Sequence, residues 1–143
     1  MSTVSDKLKE ILADSYTLYL KTQNYHWHVT GINFKSLHDL FEQQYTELAV
    51  AIDDIAERLR TLDEKAPASL QEFEQYRHLK DGDSSLPATK MLEDLHQDHL
   101  TVIEHLNEGI NLASEQADEG TIALISERLV AHEKMAWMLK ASI

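Results

Sequence analysis

No cysteine occurs among the 143 residues. The chain therefore has no disulfide framework, no thiolate nucleophile and no zinc–thiolate site. Four glycines and two prolines leave it little turn punctuation, which suits long helices. No run approaches the roughly 18 consecutive apolar residues that span a bilayer. The opening Met1-Ser2-Thr3-Val4-Ser5-Asp6 lacks the charged-then-apolar pattern of a secretion signal, so the expectation is a cytoplasmic protein with no membrane association. Basic residues are also scarce: 13 against 25 acidic ones, for a formal charge of −12. Proteins that coat nucleic acid rely on lysine and arginine to displace counterions, so this balance argues against DNA binding and suits a protein that attracts cations.

Against those absences stands strong helical periodicity, with 43% hydrophobic residues in a length that fits one domain, 1–143. Leu8, Ile11, Leu12, Leu18, Tyr25 and Val29 recur at three-and-four spacing and predict a helix over roughly 4–29. Gly31 is a natural stop, and Asn33 can cap a second helix that runs to about Leu62. Leu37, Phe41, Leu48, Ile52, Ile55, Leu59 and Leu62 form the core stripe of that second helix. The pattern breaks from about Asp63 to Leu86, where Leu70, Phe73, Tyr76 and Leu79 suggest a short helix. A third long helix follows Pro87, interrupted in pattern by Gly109. A fourth follows Asp118-Glu119-Gly120-Thr121, with Thr121 as its expected cap. Two hairpins joined by one long connection predict an all-α, ferritin-like four-helix bundle, with the short helix in the crossover between helices 2 and 3.

Mixed imidazole and carboxylate ligands suit iron(II). An intrachain di-iron bundle uses two Glu-x-x-His motifs, and here only Glu93 and His96 form one. On the second helix, His38 and Glu42 are one turn apart, as are Asp53 and Glu57, all within about one 100° sector off the core stripe. Glu42 and Asp53 are separated by roughly 16 Å along the axis, too far for one ion. The four positions are nevertheless symmetric about a point between residues 47 and 48. Two copies of the helix crossing antiparallel about a two-fold axis there would set His38 against Glu57 of the second copy, and Glu42 against its Asp53. Thr46 and Ala49, also symmetric, are small enough for close approach. His26, on the inward stripe of the first helix, can reach the second helix across the hairpin. The metal ligands expected are thus His26, His38, Glu42, Asp53 and Glu57.

The segment Asn24-Tyr25-His26-Trp27-His28-Val29-x-Gly31-x-Asn33-Phe34-x-x-Leu37-His38-x-Leu40-Phe41, with Asp53-x-x-Ala56-Glu57-Arg58 and the terminal Lys134-x-x-Trp137, resembles the signature of Dps-type mini-ferritins over essentially the whole chain. The resemblance implies a hollow homododecamer with tetrahedral symmetry, ferroxidase sites between two-fold partners, and ferric mineral inside. It implies hydrogen peroxide, with oxygen as the alternative, as oxidant of iron(II), so that iron and peroxide are removed together and oxidative damage is limited. Carried over by residue, His26, His38 and Glu42 come from one subunit, and Asp53 and Glu57 from the other. Asp53, Glu57 and His26 would hold the better-occupied iron, with His38 and Glu42 assisting the second, partly through water. Two departures stand out: position 42 is commonly aspartate in the family, and Ala123 replaces an aspartate often found at the three-fold pore. Asp118, Glu119 and Glu127 are the candidates for that pore's charge.

Trp27 and Trp137 read as packing residues, Trp27 also as an oxidisable neighbour of the site. His96, His99, His105 and His132 read as structural or exposed, and His28 as a surface residue. Two other functions compete. A DNA-compacting architectural protein would be expected to carry a lysine-rich tail, whereas Lys7 and Lys9 fall inside the first helix and Ser142-Ile143 carries no basic extension. A cage with non-catalytic sites would be expected to lack ligands, whereas all five positions hold competent side chains.

Overall fold

Thr3 starts the first helix with a reciprocal cap. Its Oγ1 accepts the Asp6 N–H at 3.0 Å, while its own N–H donates to Asp6 Oδ2 at 3.2 Å. The computed structural model describes residues 3–143. Its elements are α1 (Val4–His28), α2 (Phe34–Thr61), α3 (Leu70–Tyr76), α4 (Ala88–Glu115) and α5 (Glu119–Ala141). The chain is all-α, a ferritin-like four-helix bundle with the short α3 in the crossover. Hairpins α1–α2 and α4–α5 pack with α1 against α4 and α2 against α5. Leu8, Leu18, Phe41, Leu48, Leu95 and Leu106 are completely buried along the bundle axis. Among the described residues, no helix is long and apolar enough to cross a membrane.

Two expected caps fall differently. Asn33 occupies the N-cap position of α2, but its side chain makes no capping bond. The turn is closed instead by Gly31, at φ +111°, whose carbonyl accepts the Phe34 N–H at 3.1 Å. At α5 the cap is Asp118, not Thr121: Asp118 Oδ1 accepts the Thr121 N–H at 3.1 Å, and Thr121 is buried one turn in. Arg58, at the end of α2, holds this corner. Its Nε donates to Thr121 Oγ1 at 3.0 Å and its Nη2 to Asp118 Oδ1 at 2.8 Å.

The crossover is fastened rather than loose. Asp14 on α1, completely buried, accepts the main-chain N–H groups of His78 (2.6 Å) and Leu79 (3.0 Å) on one carboxylate oxygen. Phe73 stacks on Tyr16 with centroids 4.8 Å apart. Gly109 is explained by its neighbours: a Cβ there would lie 2.9 Å from Ile125 Cδ1 and 3.3 Å from Lys7 Cγ. The missing side chain lets α1, α4 and α5 close together.

Candidate metal centre

His26 lies in the last turn of α1 and His38 in the second turn of α2, so the Gly31 turn brings the two side chains face to face. Each ring pairs its Nδ1 with the other residue's main-chain carbonyl, both at 2.7 Å. A carbonyl can only accept, so both Nδ1 atoms carry the proton and donate. In the neutral imidazoles both Nε2 atoms then keep a lone pair for a metal, as in the outer-shell bonds that orient metal-binding histidines. The rings stack with centroids 3.7 Å apart and 15° between planes. Phe34 stacks on the other side of His38 at 5.1 Å.

Glu42 completes this half of the site. Its Oε1 is 3.7 Å from His26 Nε2, too long for a hydrogen bond, so neither atom is tied up by the other. Tyr45, which neither residue type nor spacing singles out, sets its ring edge-on to His26 at 5.2 Å. Burial, then the Glu42 carboxylate, push its phenol above the usual range, so it stays protonated beside the site.

Asp53 and Glu57 are not brought to this cluster. Both are exposed on the uninterrupted helix α2, with no ion-pair or hydrogen-bond partner among the described residues. At about 1.5 Å per residue they remain roughly 16 Å and more from Glu42. One chain thus assembles three of the five expected ligands and presents the other two outward. Glu42, Thr46, Ala49, Asp53 and Glu57 form an exposed strip along α2, and Val50 beside it is 63% exposed. A groove of about 450 Å³, lined by Leu12, Ile52, Ala56, Pro67 and Phe73 among others, adjoins this strip.

Other expected roles change. Trp27 and Trp137 are 61% and 66% exposed, so neither packs within its own chain. The last turn of α1 and the outer side of α5 offer them no facing helix. Asp118 is spent on Arg58 and on capping α5, whereas Glu119 and Glu127 are exposed. His99 and His132 are completely buried, His96 and His105 partly so, and His28 is exposed.

A ferritin-like domain matches residues 5–143. A low temperature-induced protein of Nostoc sp. is 40% identical over 142 residues, covering 98% of this chain and 79% of the relative. The crystal structure of a Dps protein from Bacillus brevis superposes with a TM-score of 0.94 at 31% identity, covering 99% of this chain and 98% of that one. The Dps protein of Vibrio cholerae, described as a member of a broad superfamily of ferritin-like diiron-carboxylate proteins, gives 0.93 at 32% identity, over 96% and 87% of the two chains. With its two hairpins, its short crossover helix and its paired histidines at the first turn, this chain belongs to the ferritin-like family, among the Dps-type mini-ferritins.

Proposed function

We propose that the chain is a ferroxidase and iron store that oxidises iron(II), with hydrogen peroxide as oxidant, and lays down ferric mineral inside a shell of twelve subunits. The observation that carries this is the His26–His38 lock, which leaves two imidazole nitrogens as lone-pair donors near Glu42. The fold family supports it, as does the description of the Vibrio cholerae relative as a diiron-carboxylate protein.

Each complete site takes His26, His38 and Glu42 from one subunit, and Asp53 and Glu57 from its two-fold partner. The exposed strip of α2, the exposed Val50 and the adjoining apolar groove support burial of this face against a second copy. Two iron(II) ions each give one electron to one peroxide. The O–O bond breaks, two protons are taken up and two waters leave, so peroxide takes both electrons at once and no hydroxyl radical is released. Three carboxylates per site favour the more highly charged iron(III), which drives the oxidation. Oxygen is the alternative oxidant.

The test is anaerobic loading of metal-free protein with iron(II), followed by peroxide or oxygen while ultraviolet absorbance is recorded. A rapid rise above the protein-free rate, faster with peroxide, is expected. Oxidation no faster than in buffer contradicts the proposal.

A further inference from the structure

Glu10, His78 and His105 form a cluster with no part in the proposed iron site. Glu10 is on α1, His105 on α4, and His78 in the crossover just after α3. One ligand atom from each lies within 4.8 Å of the others, the one such group of metal-ligating side chains among the described residues. We propose that these three side chains form a second, intrachain site for a divalent first-row cation, zinc being the best match, which clips the crossover to α1 and α4.

Orientation is the first argument. The buried Asp14 carboxylate faces His78 Nδ1 at 2.9 Å through Oδ2, while its other oxygen accepts the His78 main-chain N–H. His78 Nδ1 therefore donates its proton inward, and Nε2 is presented to Glu10 Oε1 at 3.1 Å. A carboxylate fixing one imidazole nitrogen so that the other can bind metal is the usual outer-shell arrangement. Spacing is the second. Tetrahedral ligands on zinc lie roughly 3.3 Å apart, close to the His78–Glu10 separation. The His105 ring stacks on His78 with centroids 3.8 Å apart and 15° between planes, and ligand atoms of both rings lie within 4.8 Å of Glu10's, so a rotation of the His105 ring out of the stack would turn both imidazoles onto one ion.

Charge is the third. Glu10, Asp14 and Glu108 supply three carboxylates around this cluster, and Lys7 one ammonium, leaving two negative charges for a divalent ion to balance. Lys7 Nζ lies 2.7 Å from Glu108 Oε2, 3.2 Å from His105 Nδ1 and 3.6 Å from Glu10 Oε2. The ammonium thus partly holds the cation's place, and an incoming ion displaces it onto Glu108 alone. Two imidazoles and one carboxylate favour zinc over calcium or magnesium, with a water in the fourth position.

The competing account is a metal-free ion-pair network in which a protonated His78 bridges Asp14 and Glu10. Competition of metal-free full-length protein against a chromophoric zinc chelator separates the two. Wild type is expected to hold one more zinc per subunit than His105→Ala or Glu10→Gln, each of which should weaken that zinc by at least about tenfold. Asp53→Ala, which damages the proposed iron site, should keep it, and Glu10→Gln should oxidise iron at the wild-type rate. Lys7→Met should tighten the zinc. Glu10→Gln preserves side-chain shape, so it keeps the test valid if His105→Ala does not fold. Unchanged zinc stoichiometry and affinity in both His105→Ala and Glu10→Gln, or a zinc-soaked crystal with no anomalous density between Glu10, His78 and His105, would overturn the site.

Discussion

His99 on α4 and His132 on α5 meet in the middle of the bundle with their Nδ1 atoms 2.9 Å apart. Arg128, bound to Glu47, donates from Nη2 to His132 Nε2 at 3.1 Å. His132 must therefore carry its proton on Nδ1 and donate to His99, whose proton sits on Nε2. Burial, then Arg128, hold His99 down to about 3; burial, then His99, hold His132 well below the usual range. Both stay neutral in the folded chain.

That pair predicts acid sensitivity. Histidines depressed on folding contribute stability that is fully present above about pH 6.5, the unfolded value, and is lost as pH falls below it. Burial raises Asp98 to about 6, so between roughly pH 4 and 6 the folded chain holds one proton that the unfolded chain lacks, which offsets one of the two histidines, while His105, also lowered by burial, adds to the loss. A net of at least one proton gives a loss of roughly 1.4 kcal/mol per pH unit or more in that window. Urea unfolding at pH 7, 6 and 5 checks this, and His99→Gln should flatten the slope. Stability that rises on acidification would contradict the assignment.

Replacing Gly109 with alanine should destabilise the chain even though alanine is the better helix former by about 1 kcal/mol. The added methyl meets Ile125 Cδ1 at 2.9 Å in a buried spot closed on the other side by Lys7 and Ile11. Overpacking of this kind costs roughly 1–3 kcal/mol, so a net loss of about 1 kcal/mol and a fall in Tm of roughly 2–4 °C are expected. A higher Tm would show that the helices can part at no cost.

Periodicity made the four long helices and the crossover legible, because apolar residues at three-and-four spacing leave few alternatives over 23 residues or more. It also exposed the symmetric candidate ligands of α2, since a straight helix converts residue number directly into position. Relations that depend on chain reversal were not legible. Gly31 closes the turn that Asn33 was expected to cap, and Asp118 displaces Thr121 as the cap of α5 because Arg58, 60 residues away, fixes its carboxylate. His78 follows the end of α3 and carries no periodic signal, so nothing local links it to Glu10 or His105. Residue type alone suggests packing roles for Trp27 and Trp137, but burial depends on what faces a residue.

Glu42→Ala should reduce the iron bound per subunit and slow oxidation, whereas Glu42→Asp should preserve oxidation and alter mainly occupancy of the second iron. One methylene moves the carboxylate by roughly 1 Å, which matters for a ligand and not for an exposed helix position. Iron titration with initial rates for both variants is the check; wild-type stoichiometry and rate in Glu42→Ala would remove Glu42 from the site.

Metal-free protein should not retard plasmid DNA at neutral pH and physiological salt. With a formal charge of −12 it offers little counterion release, the main source of sequence-independent affinity. Divalent cations must be absent, since they bridge two anionic partners. A gel shift under these conditions would contradict the expectation.

The shared site is tested most directly by mixing two damaged chains, one carrying His26→Ala and His38→Ala, the other Asp53→Ala and Glu57→Ala. Each alone should be nearly inactive, because every site lacks ligands from one side. In a mixed dimer the lesions segregate: one site receives both damaged halves and the other both intact halves. With random pairing about half the dimers are mixed, so roughly a quarter of all sites should recover. The measurement is the initial rate of iron oxidation by co-expressed chains whose mixed assembly is verified by size and mass. Recovery to about a quarter of the wild-type rate is predicted; a rate no higher than either damaged chain alone would contradict a site built across the two-fold axis.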